Sequence, residues 1–281
     1  MNKPQDRFID VGSTNIRYWQ EGDRGSAVLL AHGIGRYMED WLPGFWSLTD
    51  HHQVYALDLP GHGLSSRDQD ISYQIDNLAD MVSSFMQKLG IERAHLCGHS
   101  LGGAVVTWLT IARPEIVDKL VLISSGGYGR QVTSILRISS LPLIGEMLTR
   151  PSRSGISGMV KLLVHDTDVM TTELQELEYK MASQQGAQQA FLKTLRANVN
   201  ILGQKKKIVE HIASGIPSVD KPVLIIWGEN DQITPVTHAK AASLGFQDAQ
   251  VQTFEECGHF PMLEHTQRFN KLLLDFLSNE R

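Results

Sequence analysis

Apolar residues along the chain fall into two alternating kinds of run. Short blocks rich in Val, Ile and Leu lie at 8–11, 16–20, 27–31, 53–57, 94–98, 119–124, 222–227 and 250–254. In blocks such as LVLIS and VLIIW, consecutive positions are apolar, as expected of strands covered on both faces. Between such blocks, apolar residues recur at helical spacing. One stripe is Ile75, Leu78, Val82, Phe85, Met86 and Leu89, with Ser72 as the predicted cap and Gly90 as the stop. Another is Phe269, Leu272, Leu273, Phe276 and Leu277, with Thr266 as its predicted cap. This alternation predicts an α/β fold, a largely parallel sheet covered by helices.

The rhythm breaks after the sixth block. From about Gly126 to about Ser218 the pattern is helical and rich in Leu, Ile, Met and Gln, and the strand–helix alternation resumes at Lys221. Residues 1–126 and 211–281 therefore read as one core, and 127–210 as a helical cap inserted in it. A second independent domain is the competing reading. The insertion is preferred because both flanks return to the same sheet. Within it, ILRISSLPLIGEML is strongly apolar, broken by Pro142 and Gly145. Part of that segment is expected to line a pocket and the rest to pack on the core.

Composition narrows the class. The 281 residues carry 26 basic and 31 acidic side chains, a formal net charge of −5, which argues against nucleic acid as a partner. The start, MNKPQDRFID, has no apolar run of signal-peptide type, and no run is long enough for membrane insertion. A cytoplasmic location is the resulting expectation. Cys97 and Cys257 are read as reduced core residues, without the neighbours a zinc site needs. The triplet Lys205, Lys206 and Lys207 reads as a solvated helix face.

Candidate chemistry begins at Gly98-His99-Ser100-Leu101-Gly102. This G-x-S-x-G sits between a predicted strand and a predicted helix at 101–112, the context in which a serine projects from a strained turn. Gly98, Gly102 and Gly103 leave room for the two backbones to approach. The helix start favours developing negative charge. A Gly-rich dinucleotide turn is the bland alternative, but the glycines do not follow the first strand as that fold requires.

Serine needs a base, and the base an orienting acid. Among eleven histidines, His259 lies in the loop after the last strand, on the sheet edge that Ser100 occupies. His51, His52, His95 and His238 are expected at the surface or in the core, and His99 is expected to point away from the site. Asp231, beyond the strand 222–227, is the predicted acid, preferred to Glu229 for its reach. Two backbone N–H groups should meet the oxyanion: that of Leu101, and that of Ile34 in the His32-Gly33-Ile34-Gly35 loop.

Five segments in this order resemble the α/β-hydrolase superfamily over nearly the whole chain: HGIG at 32–35, DLPGHGLS at 58–65, GHSLGG at 98–103, GENDQITP at 228–235 and CGHFPMLEH at 257–265. The resemblance implies a mostly parallel eight-stranded α/β-hydrolase sheet, a helical cap after strand six, no cofactor, and a structural part for Asp58 and His62. It is similar to the branch of esterases, cofactor-free haloperoxidases and carbon–carbon bond hydrolases of ring-fission products. Serine at position 100 sets it apart from relatives that attack with a carboxylate. The expected activity is hydrolysis of an ester or related acyl bond in a small-molecule substrate with an apolar acyl or aromatic part. Carbon–carbon hydrolysis of a vinylogous keto acid is the alternative; it would need a cation for the substrate carboxylate, with Arg196 or Arg137 as candidates. A ligand-binding signalling receptor on the same fold is the third reading.

Overall fold

The computed structural model describes residues 3–68 and 70–279. The strands are β1 (Arg7–Val11), β2 (Thr14–Glu21), β3 (Ala27–Ala31), β4 (Gln53–Leu57), β5 (Ala94–His99), β6 (Val117–Ile123), β7 (Val199–Asn200), β8 (Gly203–Gln204), β9 (Val223–Gly228) and β10 (Ala249–Phe254). Eight of them form one sheet in the order β1-β2-β4-β3-β5-β6-β9-β10, while β7 and β8 make a separate hairpin. Only β2 opposes its neighbours; all pairs from β4 to β10 are parallel.

The side-chain period of two explains why the strands are apolar throughout. Leu29, Leu96, Leu120, Leu122 and Ile225 point to one face, into a core shared with α2 (Ile75–Lys88) and α3 (Leu101–Ala112). Val28, Leu30, Cys97, Val121 and Ile226 point to the other, where α1 (Leu42–Leu48) and the last helix (Thr266–Ser278) cover them. Each fully buried side chain of this kind contributes roughly 1.5–3 kcal/mol. Cys97 and Cys257 are both free and buried.

The strand order places a switch point between β3 and β5. The chain leaves β3 toward β4 on one side and later returns to fill the other side with β5. Loops after β3 and β5 therefore diverge and open a crevice at the carboxyl edge of the sheet.

Two helix starts differ from expectation. The first long helix begins at Ile75 with Gln74 ahead of it; Ser72 Oγ accepts from Gln74 instead of capping the helix. Thr266 is already helical, and its hydroxyl donates back to the Met262 carbonyl at 2.9 Å. Each stands out of place for a cap: Ser72 lies two residues before Gln74, the residue at the cap, and Thr266 lies one residue after its cap, His265.

Between β6 and β9 lie α4 (Ser134–Ser139), α5 (Ile144–Leu148), α6 (Arg153–Leu163), α7 (Thr172–Ala182), α8 (Ala187–Asn198), the β7–β8 hairpin and α9 (Lys206–Gly215). Ile208 and Ile212 of α9 belong to the cluster that holds α3, so this helix crosses residue 210 while packed on the sheet layer. Leu192, Leu195 and Val199 form a small core of their own. The segment 135–148 departs from expectation in part. Leu143 (79 % exposed) and Met147 (78 %) face solvent instead of packing on the core, while Ile135, Leu136 and Leu148 line a cavity, as expected of part of the segment. The chain closes with α10 (Thr237–Gly245), α11 (Pro261–Glu264) and α12 (Thr266–Ser278).

Candidate active site

Ser100 occupies the turn from β5 to α3 with φ 54° and ψ −115°, a conformation that side-chain-bearing residues rarely adopt. The turn is held from three sides. Ser100 N–H donates to Ile123 O at 2.9 Å, and its carbonyl accepts from Gly126 at 2.9 Å and Ala104 at 3.3 Å. The predicted need for small neighbours has a direct cause. A Cβ at Gly98 would lie 2.4 Å from Gly102 O, one at Gly102 2.3 Å from Ala31 O, and one at Gly103 2.3 Å from Ser125 Oγ. Strand and helix meet here backbone to backbone.

Asp231 and His259 come together as the sequence predicts. His259 Nδ1 is 2.7 Å from Asp231 Oδ2. Asp231 Oδ1 accepts the N–H groups of Ile233 (2.8 Å) and Thr234 (2.9 Å), and Oδ2 also accepts the Thr234 hydroxyl at 3.0 Å. A carboxylate with every close partner a donor accepts a hydrogen bond from Nδ1–H as well, which leaves the lone pair on Nε2. Glu229, the competitor, is exposed and accepts from Thr253 at 3.0 Å.

The loop carrying His259 is fixed by groups the sequence reading missed. His259 N–H donates to Leu163 O at the end of α6, at 2.7 Å. His99 Nε2–H donates to the His259 carbonyl at 2.9 Å, with the two rings 4.7 Å apart. His99, expected to point elsewhere, thus packs beneath His259; burial holds its pKa well below the ordinary value and keeps it neutral. Glu264 is a clamp. Its Oε1 accepts Gly258 N–H at 2.7 Å, and its Oε2 accepts those of His165 (2.6 Å) and Asp166 (3.1 Å), tying this loop to the segment after α6.

The loop after β3 is equally constrained. His32 Nδ1–H donates to Gly33 O at 2.7 Å, and His32 Nε2 accepts from Leu59 N–H at 2.9 Å. That acceptor role needs a neutral imidazole, and burial pushes the His32 pKa well down. Asp58 is wholly buried, as its predicted structural part requires. It accepts from Met38 and Leu64 N–H, each at 2.8 Å, and pairs with Arg17 at 3.0 Å. Arg17 also meets Glu39 at 2.6 Å. The Gly33-Ile34-Gly35 backbone is thereby set beside Ser100; a Cβ on Gly33 would lie 3.0 Å from Ser100 Cβ. Leu101 is buried as the first residue of α3, where N–H groups have no helical partner.

Ser100, His259, Ile34 and His62 line one cavity of about 240 Å³. Most of its wall comes from between β6 and β9, with Leu136, Ile156, Met159, Met181 and Phe191 prominent, and Ile233 and Phe260 complete it. The cations differ from those expected. Arg196 is spent on Glu146, two bonds of 2.8 Å, and Arg137 on the Ile201 carbonyl; neither lines the cavity. Arg36, Arg67 and Arg150 do. The positive charge of Arg36 is wholly taken up: it makes a bidentate pair with Asp40 (2.8 and 2.6 Å) and an ion pair with Glu178 of α7 at 2.8 Å. Arg67 donates to Gly63 O, and its Nε has no partner. The i, i+4 spacing of Arg36 and Asp40 was a legible signal; Glu178 and Arg67 carried none.

Among the described residues, no cluster of His, Cys, Asp and Glu has a metal-holding arrangement, and no helix is long and apolar enough to cross a membrane. The chain is 32% identical, over 95% of its length and 67% of the relative's, to the dihydrolipoyllysine-residue acetyltransferase component of the acetoin cleaving system of Cupriavidus necator. It is 29% identical, over 96% of its length and 95% of the relative's, to a 2-hydroxy-6-oxononadienedioate/2-hydroxy-6-oxononatrienedioate hydrolase of Paraburkholderia phymatum. Among solved structures, a proposed lipase from Acinetobacter baumannii AYE superposes with a TM-score of 0.85 at 26% identity, covering 97% of this chain and 90% of the other. The profile of the alpha/beta hydrolase family matches residues 28–272, and with the sheet order and the strained serine turn this places the chain in that family of hydrolases.

Proposed function

We propose that this hydrolase cleaves carboxylic esters of neutral, apolar acyl groups through a covalent acyl-serine. Ser100 Oγ attacks the carbonyl carbon while its proton passes to His259 Nε2. The N–H groups of Ile34 and Leu101 receive the oxyanion, and the positive end of α3 adds to that stabilisation. Collapse breaks the ester C–O bond, and the leaving alkoxide takes the proton from His259. A water then attacks the acyl-serine, giving its proton to the same nitrogen; collapse breaks the acyl C–Oγ bond, Ser100 Oγ takes that proton back from His259, and the acid leaves. Asp231 keeps the imidazole in the Nδ1–H tautomer throughout. In this reading residues 127–210 act as a cap that supplies the acyl-binding wall, and no cofactor takes part.

The observation that carries the proposal is the charge state of the cavity. Its most deeply buried cation, Arg36, is opposed by two carboxylates, Asp40 and Glu178, so it offers no free positive charge to a substrate anion beside Ser100. Neutral acyl groups suit such a site.

Carbon–carbon bond hydrolysis is the second reading. Arg67 favours it, because a half-buried guanidinium with spare donors suits a substrate carboxylate. The relative from Paraburkholderia phymatum has that chemistry in its name. One experiment separates the two. Turnover of nitrophenyl butyrate, nitrophenyl octanoate and a ring-fission dienoate is measured with wild type, Ser100→Ala and Arg67→Ala. Ester turnover should fall by more than ~10³-fold in S100A and survive in R67A. Ester turnover surviving in S100A overturns the nucleophile. Dienoate turnover far exceeding ester turnover, and lost in R67A, overturns the ester reading.

A further inference from the structure

Exposed large apolar side chains are concentrated in one part of this molecule. Ile138, Leu143, Ile144, Met147 and Leu148 lie within α4, α5 and their connection. Ile201 and Leu202, at the turn between β7 and β8, join them, because Arg137 of α4 donates to the Ile201 carbonyl at 2.8 Å. Scattered apolar residues at a surface need no explanation, but a concentration of this kind does. Its chemistry is continuous with the active site. Leu148 belongs both to this surface and to the cavity wall, and the chain continues along the wall through Thr149, Arg150 and Pro151. Leu143 also has φ 68°, a left-handed conformation unusual for leucine.

The charge around the surface runs against that of the whole chain. Residues 130–153 hold Arg130, Arg137, Arg150 and Arg153 with Glu146 as their single acidic residue, and Lys205, Lys206 and Lys207 follow the β7–β8 turn, while the chain as a whole is at −5; Arg153 is paired with Glu176 and Lys206 with Glu210, which leaves Arg130, Arg137, Arg150, Lys205 and Lys207 as the basic set. Glu146 is itself cancelled by Arg196. An apolar surface with a basic surround, opening into an apolar cavity, fits the interface of an anionic lipid layer.

We propose that α4, α5 and the β7–β8 turn dock this hydrolase on an anionic lipid surface, so that acyl substrates pass from the lipid into the cavity beside Leu148. The contact is peripheral and places the apolar side chains at headgroup depth. The substrate part of this inference rests on the ester reading above; the docking part does not.

The test compares wild type with Leu143→Asp/Met147→Asp, two side chains outside the cavity wall whose exposure makes the change harmless to folding. Circular dichroism and the melting temperature check that point. Flotation is measured with phosphatidylcholine vesicles and with phosphatidylcholine–phosphatidylglycerol vesicles, at low and high salt. Wild type should bind the anionic vesicles, less so at high salt, and the double variant should bind about tenfold or more weakly. Turnover of dissolved nitrophenyl butyrate should be equal in the two proteins, while turnover of a long-chain ester carried in the anionic vesicles should fall in the variant. No binding by wild type, or equal binding by both proteins, overturns the docking. A wild-type dimer in analytical ultracentrifugation that the double variant loses, without vesicle binding, assigns the surface to a second copy and likewise overturns it. If vesicles bind but neither ester turns over, docking stands and the ester reading fails.

Discussion

Replacing Asp231 by Asn tests the arrangement most sharply, because the structure dictates which way the amide must sit. Asp231 Oδ1 accepts two backbone N–H groups, at 2.8 and 2.9 Å. An amide NH₂ there would oppose two donors, so the amide oxygen takes that place and the NH₂ faces His259 Nδ1 and the Thr234 hydroxyl. Facing a donor, Nδ1 must accept. The imidazole proton then moves to Nε2, the atom that takes the proton of Ser100 in the proposed mechanism. Nothing else in the site changes size, and the variant should fold with a melting temperature close to wild type. The cost falls on the reaction: inverting the tautomer in such a relay lowers kcat by about 10⁴-fold, equivalent to roughly 5.5 kcal/mol of transition-state stabilisation. The assay is kcat and KM for nitrophenyl butyrate, with KM expected to move little because Asp231 is not part of the cavity wall. A D231N variant retaining more than about a tenth of wild-type kcat would show that His259 is not held by this carboxylate when it acts.

Three further outcomes follow from the geometry. Gly102→Ala should yield insoluble protein or cost more than ~4 kcal/mol in urea melts, since its Cβ would sit 2.3 Å from a backbone oxygen that cannot move; normal stability would mean the turn is looser than described. Glu264→Ala releases both the His259 loop and the segment after α6, and should lower kcat by about 10²-fold through misplacement of the base, with KM little changed; the Gln variant, which keeps an acceptor oxygen, should recover part of the loss. Burial pushes the His95 imidazole down to about 4, so the unfolded chain takes up a proton first as acid is added. The stability this gives is present above pH ~6.5, begins to go as the pH drops below that value and is gone below about 4; the loss reached at pH 5 is about 2 kcal/mol. Urea melts at pH 7 and pH 5 should show a smaller difference in His95→Gln, and an unchanged difference would refute the argument.

What the sequence determined by itself was the alternation of elements and the three ends of the reacting set. Consecutive apolar positions in the strands, a glycine-flanked serine between strand and helix, and loops after β9 and β10 that both return to the carboxyl edge are local or topological facts. They hold whatever the side-chain packing, because strand period, backbone clearance and parallel connection are set along the chain. The pocket was decided elsewhere. Arg137 and Arg196 looked like free cations in the insertion, yet one is spent on the Ile201 carbonyl and the other on Glu146. Arg36 meets Glu178 across 142 residues of chain, and Glu264 grips His165 across 99. Such partners share no period or spacing. Only the way α6 and α7 settle over the sheet edge brings them together, and the same settling leaves Leu143 and Met147 in solvent although their composition matches that of a core helix.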